Sequence, residues 1–457
     1  MKRALWLMAL LAPIGQAQPD PQAQARSIYA ELVGINTTQS SGNVTRAAEA
    51  MAARLRRAGF PEQDVKVIGP DATHRNLVAR LRGTGRARPI LFLAHLDVVE
   101  VERKEWSVEP FELTERDGYF YGRGSFDDKS GAAVLAANFI RLKQVHYQPD
   151  RDLILALTAG EETGIENGVD WLLAHGQPLI DAEYCINLDA GEGDSERGKP
   201  LVLGVQTGEK QYYTVTLEAT NPGGHSSIPR KDNAIYELAA ALERLAHYEF
   251  PVRLNETTRA FFAKTAGMEK GQMAADMRAV ASGKPEPEAI RRLSETADFH
   301  ALLRTTCTPT QLQAGQAENA LPRRAIAVVN CRLLPGDSAA KVLATLHRVI
   351  ADDAISITPK VKAAATNPAS PLRADVLSAV EKSAAAVWPG VPVVPQMETG
   401  ATDGAALRIA GIPTYGSQAI FVDLDDDRSH GKDERIPVTS FYKALEYNYR
   451  LIQALSQ

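Results

Sequence analysis

Three short apolar runs in this 457-residue chain each stop at a carboxylate or an imidazole. PILFLAHLD (89–97) delivers His95 and Asp97, DLILALTAGEE (152–162) delivers Glu161 and Glu162, and YCINLD (184–189) delivers Asp189. Runs of this length and apolarity read as buried strands, and the segments between them carry helical periodicity. The pattern predicts an α/β fold, a mainly parallel mixed sheet with helices on both faces. In such sheets ligands gather outside the carboxyl ends of the strands.

His95 and Asp97 are two residues apart and point the same way, so Asp97 can fix the second ring nitrogen of a metal-binding His95. YGRGSFDDKSG (121–131) is a Gly-rich turn that brings Asp127 and Asp128 to the start of a helix, and SHGKDERI carries His430. Taken singly, each has an ordinary alternative: a polar strand end, an N-cap or a solvated loop. Together they concentrate carboxylate at one sheet edge, which is unfavourable unless divalent cations hold it together. Oxygen and imidazole ligands without thiolate suit zinc, manganese or cobalt.

The remaining composition narrows the field. Three cysteines, Cys185, Cys307 and Cys331, are too few for a thiolate site or a disulfide framework, and at most one pair can form. With 51 basic and 56 acidic side chains the net charge is −5, so no electrostatic case exists for nucleic acid. Residues 1–17 read as a secretory signal: Lys2 and Arg3, an apolar run over 4–14, and a small-x-small site ending at Ala17. That run is shorter than the ~20 residues a membrane span needs, and no other segment qualifies. The expectation is a soluble protein exported to the periplasm or beyond the cell.

After the first catalytic segment (18–208), the order over 209–364 becomes strand, helix, two strands, helix, strand, the ferredoxin-like βαββαβ unit. A charged, Met- and Ala-rich stretch at 251–306 interrupts it as a helical insertion. Linker composition at 363–371 marks the exit, and 365–457 is expected to return to the first sheet.

AHLDVV, YGRGSFDDKSG, TAGEETG, NLDAGEG, GGHSSIP, ENALPRRAIAVVNCRLLPG and SHGKDERI, in that order, resemble metallopeptidase family 20. These are co-catalytic zinc exopeptidases and amidohydrolases that include carboxypeptidases G and S, aminoacylase and succinyl-diaminopimelate desuccinylase. The resemblance implies a zinc-exopeptidase-type catalytic domain interrupted by a lid that pairs two subunits into a homodimer. It implies two zinc ions, replaceable by cobalt or manganese, with Asp127 bridging, His95 and Asp189 completing one site, and Glu162 and His430 the other. Glu161 takes the role of general base, with Asp97 supporting the site.

His225, by spacing alone a surface turn histidine, matches a lid histidine that donates to the oxyanion, often in the partner's site. Asn319 and Arg332 match substrate-carboxylate binders, for which a lid salt bridge is the alternative, and Gly404 belongs to a substrate-facing loop (399–404). Asp128 stands where many deacetylase members have Met, and the turn implies a non-proline cis peptide. With GGHSSIP, this points to small peptides or N-acyl amino acids as substrates. Two other readings remain: a metal-stabilised binding protein without turnover, and a serine hydrolase using Ser226 or Ser227. The latter lacks a Gly-x-Ser-x-Gly elbow.

Overall fold

The computed structural model describes residues 20–360 and 365–457, so the signal segment lies outside the described residues. A ten-stranded sheet forms the large domain. Its centre is parallel: Leu153–Thr158, Ile90–His95, Tyr184–Asn187 and Thr414–Gly416 lie side by side in that order. Alternate residues of these strands face opposite ways, as period 2 requires. Phe92, Leu155 and Ile186 pack under helices Pro21–Val33, Val44–Arg57, Lys129–Gln144 and Val438–Leu455. Leu91, Ile154 and Cys185 pack with Val169, Leu172 and Leu407 on the other face. Both faces are therefore covered, which explains why the strands are apolar without interruption.

Helix starts follow the sequence chemistry. Asp20 precedes Pro21 and accepts from Gln22 N–H, and Asn43, Asn167 and Asn233 cap their helices in the same way.

The inserted domain has a four-stranded antiparallel sheet in the order Thr306–Ala314, Arg324–Leu333, Gln211–Thr220, Ile355–Pro359. Helices Ala234–Ala246 and Ala339–Ile350 cover one face, giving the expected ferredoxin-like unit. Its first outer strand begins earlier than the sequence indicates, at Thr306, and Cys307 pairs there with Cys331 in a cross-strand disulfide. The insertion forms helices Glu256–Thr265, Gly271–Ala281, Pro287–Leu293 and Ala297–Leu303 around Phe262, Met277 and Leu293. Lys264 ties it to the large domain through Glu381 and the Val393 carbonyl.

Several short strands escaped the sequence reading, and so did two longer ones of the large sheet. Lys199–Glu209 contains Gly204 and Gly208, and Val393–Glu398 contains Pro395. Glycine and proline weaken a strand signal, and the second strand tolerates its proline because it pairs on one side only.

Candidate metal centre and active site

Because Ile90–His95 runs parallel to both Leu153–Thr158 and Tyr184–Asn187, His95, Glu161, Glu162 and Asp189 emerge at one sheet edge. Gly160 turns the chain there at φ +74°, and a Cβ on it would lie 2.4 Å from the Ile165 carbonyl oxygen. Asp127 arrives from the loop before helix Lys129–Gln144, and the Asp127–Asp128 peptide is cis. His430 comes from a turn near the far end of the chain, in the left-handed conformation at φ +60°.

Asp127 stands at the centre. Its Oδ1 lies 2.8 Å from His95 Nε2, and its Oδ2 lies 3.1 Å from His430 Nε2. Asp189 Oδ1 is 3.4 Å from His95 Nε2, and Glu162 Oε2 is 2.9 Å from His430 Nε2. Each oxygen of one carboxylate thus faces its own imidazole and its own second acid.

Asp97 fixes His95 through its backbone rather than its side chain. Its backbone carbonyl, 3.0 Å away, orients His95 Nδ1, whereas its carboxylate is 3.8 Å from that nitrogen. The carboxylate instead accepts the backbone N–H groups of Glu161 and Glu162, at 3.2 and 3.1 Å, and so fixes the turn bearing both acids.

The electrostatics follow from crowding and burial. Burial raises the Glu161 carboxyl, reinforced by the Asp189 charge, and pushes Asp189 up to about 7. Burial works against a charged Asp127, yet hydrogen bonds from His430 and His95 hold its carboxyl well below the usual range. Hydrogen bonds to Asp127 and Glu162 push His430 up to about 10.

These residues fit a divalent pair. His95, Glu161 and Asp189 offer one compact donor set, and His95, Asp127 and Glu162 another, with the donor atoms of each within 4.8 Å of one another. Glu162 Oε1 is buried with no hydrogen-bond partner among the described residues, and all the donors are oxygen or imidazole nitrogen.

Glu161 lines two cavities. One, of about 280 Å³, holds Asp127, Glu162, Asp189 and His430 and is walled further by Glu192, Glu398 and Thr402. The other, of about 530 Å³, runs from Glu161 past Ala401 and Thr402 to Tyr212 and Ile409. Gly404 borders neither; it opens helix Gly404–Ile409, and Ala401 to Asp403 supply the wall. His225 and Asn319 lie together at an exposed two-stranded ladder between distant parts of the chain, where His225 pairs with Ala320 and Ser226 N–H donates to the Asn319 carbonyl. Neither lines these cavities. Arg332 sits on the open face of the inserted sheet, its guanidinium 5.0 Å from the centre of the Tyr212 ring.

One functional pair was missed. Glu434 is fully buried and accepts from Arg123 at 2.6 Å and from the N–H groups of Gly124, Phe126 and Asp127 at 3.0, 2.7 and 3.1 Å. Arg123 donates onward to the Gly431 and His430 carbonyls. This pair clips the Asp127 loop to the His430 turn. Both residues fall inside the quoted motifs, but 311 positions separate them, and no local spacing signals the contact.

An imidazole–carboxylate double cage at the carboxyl edge of an α/β sheet is the hallmark of a two-metal hydrolase site. The chain belongs to Peptidase family M20/M25/M40, whose model matches residues 91–454. It is 26% identical over 385 residues to "Probable carboxypeptidase S-like 2" of Dictyostelium discoideum, covering 80% of this chain and 71% of that protein. It is 29% identical over 377 residues to the human N-fatty-acyl-amino acid synthase/hydrolase PM20D1, covering 80% and 74%. Its fold matches an M20 family metallo-carboxypeptidase from Sulfolobus solfataricus with TM-score 0.71 and 19% identity, over 95% of this chain and 99% of that one.

Proposed function

We propose that the protein is an exported, homodimeric two-zinc hydrolase that cleaves an amide bond next to a free terminal group in a small peptide or N-acyl amino acid. The observation that carries this reading is the central Asp127, with one oxygen toward His95 and Asp189 and the other toward His430 and Glu162. His95, Asp127 and Asp189 would hold one ion, and Asp127, Glu162 and His430 the other. A metal pair bound there supplies Lewis-acid polarisation of the scissile carbonyl and makes water acidic enough to attack near neutral pH.

The chain's own groups do the rest. Glu161, set beside a ligand on the turn that Asp97 fixes, takes the proton from the attacking water and passes it to the leaving nitrogen. His225 donates to the developing oxyanion; its exposed position on the inserted domain suits a partner's site rather than its own. Arg332 and Asn319 serve the substrate carboxylate. The printed names of the relatives, a carboxypeptidase and an N-acyl-amino acid hydrolase, support this substrate class. The Cys307–Cys331 disulfide supports an oxidising compartment.

The test is Glu161→Gln, assayed on dipeptides and N-acyl amino acids with blocked termini as controls. Turnover should vanish while metal content stays at two per chain. Wild-type protein that binds metal but cleaves nothing would leave a metal-stabilised binding protein.

A further inference from the structure

Glu209 ends strand Lys199–Glu209 where the chain enters the inserted domain, and its carbonyl accepts from Asn367 Nδ2, 3.3 Å away on the segment that returns. Its side chain is fully buried and belongs to the large domain by its partners. One carboxylate oxygen accepts the Thr402 N–H at 3.0 Å; the other accepts the Thr402 hydroxyl at 2.8 Å and Gln206 Nε2 at 3.0 Å. Arg408 Nη1 lies 2.9 Å from that second oxygen, and both side chains of this ion pair are buried. Gln206 and the Thr414 carbonyl fix the guanidinium in turn.

Thr402 passes the contact on. Its hydroxyl oxygen donates to Glu209 and accepts from Asn187 Nδ2 at 3.4 Å and from the Gly404 N–H at 3.0 Å. Asn187, fully buried at the end of strand Tyr184–Asn187, uses its side-chain oxygen to accept the Asp189 N–H at 3.3 Å. A line of polar contacts thus runs from Arg408 through Glu209, Thr402 and Asn187 to the backbone of a metal-ligand residue. Thr402 is also a wall of both cavities that meet at Glu161. A buried ion pair adds little stability over an apolar pair of equal volume, so what this one contributes is geometry. Three hydrogen bonds and an ion pair converge on one carboxylate and leave Thr402 a single position.

We infer that Glu209 is a positioning residue: it sets Thr402 as the shared wall of both cavities and, through Asn187, orients Asp189 for metal binding. This rests on the two-metal hydrolase reading. It also places that control at the residue where the chain leaves for the inserted domain.

The test uses the full chain with Glu209→Gln, Thr402→Val and Thr402→Ser. The amide of Glu209→Gln meets a donor whichever way it faces: the Thr402 N–H on one side, Gln206 and Arg408 on the other. Thr402→Val keeps the shape and the N–H but loses the hydroxyl, which Thr402→Ser restores. On the fastest substrate of the dipeptide and N-acyl amino acid panel, kcat/KM should fall ~10- to 100-fold in the Gln and Val variants and be largely recovered in Thr402→Ser. Titration against a competing chelator should show zinc affinity falling ~10-fold or more for the ion held by His95, Asp127 and Asp189, with the other ion unchanged. Asp189→Asn and His430→Ala mark which affinity belongs to which ion. A lower melting temperature with kcat, KM and both affinities unchanged in the folded protein makes the network structural and overturns the inference. If Glu209→Gln does not fold, the Thr402 pair decides. A wild type that binds two ions but cleaves nothing on the panel refutes the hydrolase reading, and the affinities then decide alone: an unchanged Asp189 ion in Thr402→Val refutes the positioning role.

Discussion

Replacing Glu434 should damage the fold and one half of the metal cage together. Glu434 and Arg123 have side chains 0% and 3% exposed, and Glu434 accepts four N–H donors. Glu434→Gln keeps the volume, but in either orientation its NH2 meets two donors, Arg123 and the Gly124 N–H or the Phe126 and Asp127 N–H groups, and the negative charge is lost. Leaving a buried guanidinium without its carboxylate costs ~3 to 5 kcal/mol. The same loss frees the Asp127 loop from the His430 turn, and misoriented ligands lower metal affinity ~10- to 100-fold. The weakening should fall mainly on the ion held by Asp127, Glu162 and His430, because His95 and Asp189 are anchored by neighbouring parallel strands.

Urea unfolding of the metal-free protein gives the stability term, and titration against a competing chelator gives two affinities. The double variant Arg123→Met with Glu434→Met should recover much of the stability, since an apolar pair can replace a buried ion pair, while the weak second ion persists. Lost stability with both affinities intact would reduce the pair to scaffolding. Intact stability would refute the reasoning outright.

Other outcomes follow from the same geometry. His225→Ala should slow turnover by ~10²- to 10³-fold if it donates to the oxyanion, and an unchanged kcat rejects that role. Chelation should lower the melting temperature by exposing Asp127, Glu161, Glu162 and Asp189 to mutual repulsion, with recovery on adding zinc; at a thousandfold excess over Kd a bound ion contributes ~4 kcal/mol. No thermal shift would reject the metal reading. Burial, with the charges of Arg332 and Arg304, pushes Lys210 down to about 7, against 10.5 for the ordinary side chain. Between those values the unfolded chain binds the extra proton, so this group adds stability as pH rises, by at most ~1.4 kcal/mol per unit. Denaturant titrations from about pH 7 to 9.5 should therefore show a flatter slope for Lys210→Met than for wild type, and parallel slopes would reject the burial argument.

His95, Glu161, Glu162 and Asp189 were legible because each follows a strand whose apolarity is itself the signal: LILALT into Glu161 and Glu162, ILFLA into His95, YCIN into Asp189. The ferredoxin-like order was legible for the same reason. What stayed hidden depends on contacts between distant residues. Arg123 meets Glu434 only after the chain has returned from the inserted domain, Lys210 finds Thr306 across the sheet, and Glu192 and Glu398 reach the cavity from strands or loops whose glycines and proline mask them. Asp97 shows a finer limit: spacing gave its direction correctly, but not whether its carboxylate or its carbonyl would serve His95.

Strand Thr414–Gly416 lies between Tyr184–Asn187 and Lys199–Glu209, in the middle of the sheet. A ribosome that has made the first four hundred residues has therefore produced a sheet with its keystone missing, and one that also lacks His430 and Glu434. Premature termination anywhere in that interval yields an inert fragment, and a cell making this hydrolase meets no working copy until synthesis is nearly finished.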